Sequence, residues 1–157
     1  MEAMSVTQFE TDFDLDTDAK APPVIPQGNY RGSVTGVTFD GEKQSINFDV
    51  VLQGNDMVMT DGETPVDGAK LSYRIWLPRA EDADQLTSSG NQTKAQWKIN
   101  NLKKVSTSLG INMTTPKAIA EGLNNGDWIG IEVIANIKIS EWQGDIRNEI
   151  NSLIAAP

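Results

Sequence analysis

Three stretches of this chain alternate apolar and polar side chains with a two-residue period, and a fourth abandons that period. In "QSINFDVVLQG", Ile46, Phe48, Val50 and Leu52 share one parity, opposed by Asn47, Asp49 and Val51. In "KLSYRIWLPR", Leu71, Tyr73, Ile75 and Leu77 oppose Lys70, Ser72, Arg74 and Trp76. "NYRGSVTGVTF" sets Tyr30, Gly32 and Val34 against Arg31, Ser33 and Thr35. Strands of this kind bury one face and need a second layer or a closed sheet. Further on, Ala95, Ile99, Leu102, Val105 and Leu109 are spaced by four, three, three and four. That spacing predicts an amphipathic helix, with Gly110 at its C-cap.

The segment "TPKAIAEGLNNG" predicts a second short helix, capped by Thr115 with Pro116 in its first turn. "DWIGIEVIANIKISE" reads as a long fourth strand with Ile129, Ile131 and Val133 inward. "WQGD" is a turn, and "IRNEINSLI" is the closing strand, with Ile146 and Ile150 on one parity. "GNDMVMTDGETPVDG" is a loop with room for a short strand, and "RAEDADQLTSSGN" is a second loop. The element order is therefore β-β-β-α-β-β. Three strands, a helix and two strands is the order of the OB-fold, a mainly β, five-stranded barrel with a helix between strands three and four. An antiparallel sandwich with an inserted helix fits the same pattern, but five strands make a small sandwich, so the barrel is the expectation.

Residues 1–27 hold six acids and one base, and read as an acidic arm with a proline-rich extended lead-in. Residues 28–157 form the expected OB-fold domain and carry 16 acids and 12 bases. The overall charge of −9 speaks against a generic nucleic-acid binder but leaves room for a few cations gathered on one face. Asp12, Asp14, Asp16 and Asp18 have the spacing that opens a calcium loop. Thr17 and Pro23 then stand where that loop needs glycine and a bidentate glutamate, so a solvated acidic arm is the better reading.

Cysteine and histidine are both absent, which removes disulfides, thiol chemistry, thiolate zinc sites and histidine-based triads together. No phosphate loop, dinucleotide fingerprint or nucleophile elbow is present, and "EDAD" at Glu81–Asp84 has no apolar setting to tune a carboxyl. Asp49, Glu132 and Glu149 are the only strand carboxylates available to a two-metal site. The expectation is a non-enzymatic chain that needs no cofactor and no metal. No apolar run reaches membrane-spanning length and the N-terminus lacks a signal-peptide core, so a cytoplasmic protein with no membrane partner is expected.

The outward parity of the third strand carries the functional question, because it places Ser72, Arg74 and Trp76 side by side. An indole offers any unpaired base a stacking plane, and a guanidinium pairs with phosphate. Arg31 and Ser33 of the first strand are expected nearby. The bland reading of Trp76 is packing under a helix or loop. Trp142, in the hairpin between strands four and five, is the second stacking candidate, with Lys138 and Arg147 flanking it. Trp97, off the helical stripe between Lys94 and Lys98, is expected to pack in the core, with capping of a barrel end or contact with DNA as the alternatives, and Trp128 is expected to open strand four at the barrel mouth. Lys103 and Lys104 read as the solvated face of the helix.

With "PQGNYRGSVTGV", "INFDVVLQG", "GAKLSYRIWL", "LKKVSTSLGI", "GDWIGIEVIANI" and "EWQGDIRNEI" in place, the chain resembles a family of small phage OB-fold proteins regarded as single-stranded DNA-binding proteins. The resemblance spans roughly residues 24–154 and implies sequence-nonspecific binding of single-stranded DNA in replication or recombination. It also implies phage or host replication and recombination proteins as partners, and the host cytoplasm as the setting. Many members end in an acidic tail tipped by an aromatic; this chain ends "NSLIAAP" and carries its acidic run at the other terminus. A structural or protein-interaction module, such as a virion-associated β domain, is the alternative, and a sugar-binding OB-fold is a third reading.

Overall fold

A computed structural model describes residues 12–14, 16, 17, 19 and 21–157 of the chain. Most of the acidic arm, and with it the Asp18 position of the calcium-loop spacing, lies outside the described residues. Five strands form one antiparallel sheet: β1 (Gly28–Asp40), β2 (Ser45–Leu52), β3 (Lys70–Trp76), β4 (Glu132–Trp142) and β5 (Asp145–Ala155). Between β3 and β4 lie a short 3-10 helix (Ala80–Asp84), α1 (Lys94–Leu109) and α2 (Pro116–Asn125). The strand order is β3-β2-β1-β4-β5. The described residues are thus mainly β with two α-helices, and the sheet is not closed by a ladder between its edges. The edge strands β3 and β5 nonetheless approach one another.

The long β1 serves two partners. Gly28–Ser33 pairs with β4, whereas Gly32–Asp40 pairs with β2. Thr35 is an extra residue between the Val34–Val50 and Gly36–Asp49 pairs, a bulge that bends the strand as it changes company. Gly32 sits in that handover, and a Cβ there would press on the Val51 carbonyl oxygen at 2.8 Å. Only glycine fits without a shift.

The expected parity holds in β2 and β3. Ile46, Phe48, Val50, Leu52 and Ile75 are buried, and Lys70, Ser72, Arg74 and Trp76 face outward. Against the inner face pack Leu102, Val105 and Leu109 of α1. Both helices are capped as their residues predict. Thr93 Oγ1 accepts from the Gln96 N–H and Thr115 Oγ1 from the Ala118 N–H, each at 3.1 Å. Gly110 and Gly126 take left-handed conformations at the C-termini.

Expectations for five residues are corrected. Strand β4 begins only at Glu132, so Trp128 lies in the turn after α2, and Ile129 is exposed. Trp128 is only 4% exposed and stacks on Phe48 with ring centroids 6.0 Å apart. In β5, Asn151 is an extra residue between the Asn136–Ser152 and Ile137–Ile150 pairs. The bulge resets the parity between Ile150 and Leu153, which both point inward. Ile146 keeps the parity of Ile150 but lies near the hairpin tip and is exposed. On α1, Ile99 and Trp97 are exposed, not packed in the core.

Val24 meets the loop between β2 and β3, its carbonyl accepting from the Thr60 N–H at 2.9 Å. Ile25 is buried, and its backbone exchanges two 2.8 Å hydrogen bonds with the Asn148 side chain. Among the described residues, no helix is long and apolar enough to cross a membrane.

Candidate nucleic-acid interface

Because β3 is an edge strand paired to β2, its outward side chains form rows with those of β2 and β1. Trp76 stands opposite Ser45, which stands opposite Asp40; Arg74 stands opposite Asn47, then Thr38; Ser72 stands opposite Asp49. Arg74 and Trp76, two residues apart on one face, meet: the Arg74 Cζ lies 5.5 Å from the centre of the Trp76 ring. The indole is 38% exposed. A guanidinium held against one part of an accessible indole is a platform for a planar, anionic ligand, since the ring stacks and the cation neutralises.

The same face is not purely cationic. Asp49 accepts from Ser72 Oγ at 3.3 Å and from Asn47 Nδ2 at 2.9 Å, so Ser72 is engaged with a carboxylate. Asp40, at the β1–β2 turn, accepts from the backbone N–H groups of Lys43 and Glu42. The Lys43 bond, followed by the Glu42 bond and then the charges of Lys43 and Arg74, holds its carboxyl below the usual range. Ser45, beneath this row, is buried with its hydroxyl oxygen unpartnered among the described residues.

The other expected contacts do not join this pair. Arg31 is level with Gln53 on the ladder, and Trp76 with Ser45, a separation of about 26 Å at strand rise. The neighbours of Arg31 across β4 and β5 are Ile134 and Ile154. The expected clustering of Arg31 and Ser33 with Trp76 therefore fails. β1 crosses the sheet in the opposite sense from the one that would bring its N-terminal half to the Trp76 row. Trp142, Arg147 and Lys138 do share the outward face of the β4–β5 hairpin, where Ser140 opposes Arg147 and Asp145 opposes Trp142. Trp142 is 62% exposed, beside a two-residue turn in which Gln143 and Gly144 both have positive φ. Lys138 is paired across the ladder with Glu149 at 3.8 Å. This hairpin extends beyond Gly28 at the start of β1, whereas Trp76 is level with its end.

Two features went unread in the sequence. An apolar groove of about 600 Å³ opens where the sheet meets the helices, walled by Phe39, Leu77, Ile99, Met113, Ile119 and Leu123 among others, with Lys103 as its only charged lining residue. The bulge at Thr35 is what turns Phe39 toward this end, and no composition signal announces a bulge. The second is a joint between the 3-10 helix and α1. Asp82, buried, accepts from Lys98 Nζ at 2.7 Å and from the Arg79 N–H at 2.8 Å. The Lys98 bond, then the Arg79 bond, draws its carboxyl below the ordinary range.

Asp49, Glu132 and Glu149 are on different parts of the sheet. Among the described residues, no three acids stand where they could hold a metal ion. No family model matches the chain, and no curated protein matches its sequence.

Proposed function

We propose that this chain binds single-stranded DNA without sequence preference, across the outward face of β3. The observation that carries the reading is the Arg74–Trp76 pair, an accessible indole with a guanidinium 5.5 Å from its ring centre. Stacking on an indole is tolerant of base identity and is lost when bases are paired, so single strands are preferred over duplex. The sheet order supports an OB-type barrel as the scaffold: β1 pairs with both β2 and β4, the edge strands converge, and the helices lie between β3 and β4. The wider proposal is a phage-type protein of replication or recombination intermediates, acting with phage or host replication proteins in the host cytoplasm.

The test is a tryptophan-fluorescence titration with oligo(dT) at two salt concentrations, repeated with duplex of the same length. Quenching, single-strand preference and a fall of affinity with salt are expected. Equal affinity for duplex and single strand would refute the stacking model. The apolar groove favours a second reading, a protein-interaction module, because its wall suits side chains better than phosphates. Absence of any oligonucleotide binding would leave that reading standing.

A further inference from the structure

The charge of this chain is not mixed evenly. From Gln85 to Ala120 there are 36 residues with five lysines and no aspartate or glutamate, in a protein of net charge −9. Four of those lysines, Lys94, Lys98, Lys103 and Lys104, are on α1. Lys98 is committed to the Asp82 joint, and Lys103 borders the apolar groove. Lys94 and Lys104 are exposed, and among the described residues neither is in an ion pair.

Trp97 lies between them on the helix surface. It is three residues after Lys94 and seven before Lys104, spacings that place all three on one side of an α-helix. Asn100 and Asn101 fill the turn between, one exposed and one half-buried. The indole is 46% exposed although α1 has a core-facing stripe of its own, so it does not serve the packing of that helix. Asp82, at the joint with the 3-10 helix, feels the charge of Lys94 but is already paired with Lys98. The β3 face, by contrast, carries Asp49 among its own side chains.

We propose that the Lys94–Trp97–Lys104 side of α1 is a second contact for single-stranded nucleic acid, with the two ammonium groups on phosphates and one unpaired base on the indole. The charge complementarity is what selects the occupant. An acid-free, lysine-bearing helix face on an otherwise acidic protein attracts a polyanion, and an accessible indole adds affinity for a base over a plain anion. The inference rests on the single-strand reading above but uses different residues, so the two can fail separately.

The experiment compares the full chain with Trp97→Ala, with the double variant Lys94→Glu/Lys104→Glu, and with Trp76→Ala. Each is titrated with a short oligo(dT) of about 8 nucleotides and a long one of about 30, lengths that bracket one and several OB-type sites. For the long strand, Trp97→Ala is expected to lower affinity about 5- to 150-fold. The charge reversal is expected to flatten the log–log salt slope by about 1.4, at ~0.7 per lost phosphate contact. If the reversal disturbs the helix in circular dichroism, Lys94→Gln/Lys104→Gln removes the same contacts without added repulsion. Unchanged long-strand affinity and slope in these variants, with Trp76→Ala impaired, would overturn the α1 contact and leave the β3 reading intact. Impairment of the α1 variants with Trp76→Ala unaffected would uphold the α1 contact and remove β3 from the site. Poly-glutamate competing as well as oligo(dT) at equal charge would overturn the proposal in favour of an acidic protein partner. Failure of the wild-type chain to bind either oligonucleotide would overturn both.

Discussion

Trp128 and Trp76 show two uses of the same side chain in one small protein. Trp128 is nearly inaccessible, stacked on Phe48, and α2 makes room for it with Gly122, where a Cβ would overlap the indole. Trp76 is on an edge strand, in loose contact with one guanidinium, opposite a buried serine whose hydroxyl has no partner among the described residues. Around Trp128 the neighbouring residues have adapted: a helix glycine, a facing phenylalanine, a turn that swings it inward. Around Trp76 nothing has been shaped to cover it. A tryptophan that holds the fold together is recognised by such adaptation, and one without it is available to a ligand.

The largest expected effect tests the first half of that contrast. Trp128→Ala removes a stacked, buried ring and should cost about 3–5 kcal/mol in urea unfolding. Gly122→Ala attacks the same contact from the helix side and should cost about 1–3 kcal/mol, since the ring has nowhere to retreat. If neither variant is less stable than Trp76→Ala, the distinction between the two tryptophans collapses.

Trp76→Ala tests the second half. Its cost should appear in binding, about 1–3 kcal/mol with oligo(dT), and less than about 1 kcal/mol in stability. A variant that unfolds readily, yet binds normally in its folded fraction, would make Trp76 a structural residue after all.

The contrast also explains which parts of the molecule were legible in the sequence. In β2 and β3 the pairing has no bulge, so one parity count assigned Phe48 and Ile75 inward and Arg74 and Trp76 outward. The capping residues Thr115 and Gly110 act through their nearest neighbours in the chain, and local rules suffice for them. Phe39 was missed because a single inserted residue, Thr35 in β1, reverses every side chain beyond it; Ile146 was misjudged because, although it shares the parity of Ile150, it lies near the hairpin tip beyond the core. Arg31 looked close to Trp76 because both lie on outward faces; the distance between them depends on which end of β1 meets which partner, and periodicity carries no such information. Trp97, expected to pack, and Trp128, expected to open strand four, were misplaced because burial of a lone aromatic is decided by the element that covers it.

A smaller effect sharpens the comparison at the joint between the 3-10 helix and α1, which steadies the lysine-bearing helix without touching either tryptophan. The folded-state carboxyl of Asp82 titrates lower than an unfolded one near pH 3.9. Its contribution is therefore present above that value and is lost as the pH falls through the folded value. Asp82→Asn should lower the melting temperature at neutral pH and should lose less than the wild type between neutral pH and about pH 3. Asp40, Asp61 and Asp67 are also held low by local hydrogen bonds, so the difference between variant and wild type is the quantity to read. Parallel melting curves across that range would show that the Lys98 pair carries no pH-dependent stability.

The smallest expected effect concerns Trp142, the most exposed indole of the four, at 62%. Exposure alone makes it look like a better platform than Trp76, but its setting differs. Lys138 is paired with Glu149, Asp145 is directly across the ladder, and the hairpin projects past the start of β1, whereas Trp76 is level with its end. A short strand seated on Arg74 and Trp76 would then have no path to it. Trp142→Ala should change stability by less than about 0.5 kcal/mol, as for surface positions generally. Affinity for the short oligo(dT) should stay within about twofold, because no base of a strand on β3 stacks there. A loss as large as that of Trp76→Ala would mean that the curl of the sheet brings the hairpin tip over the β3 face. Trp76 and Trp142 would then grip one strand between them, and the edge strands β3 and β5, which already approach one another, would be the two sides of a single cleft.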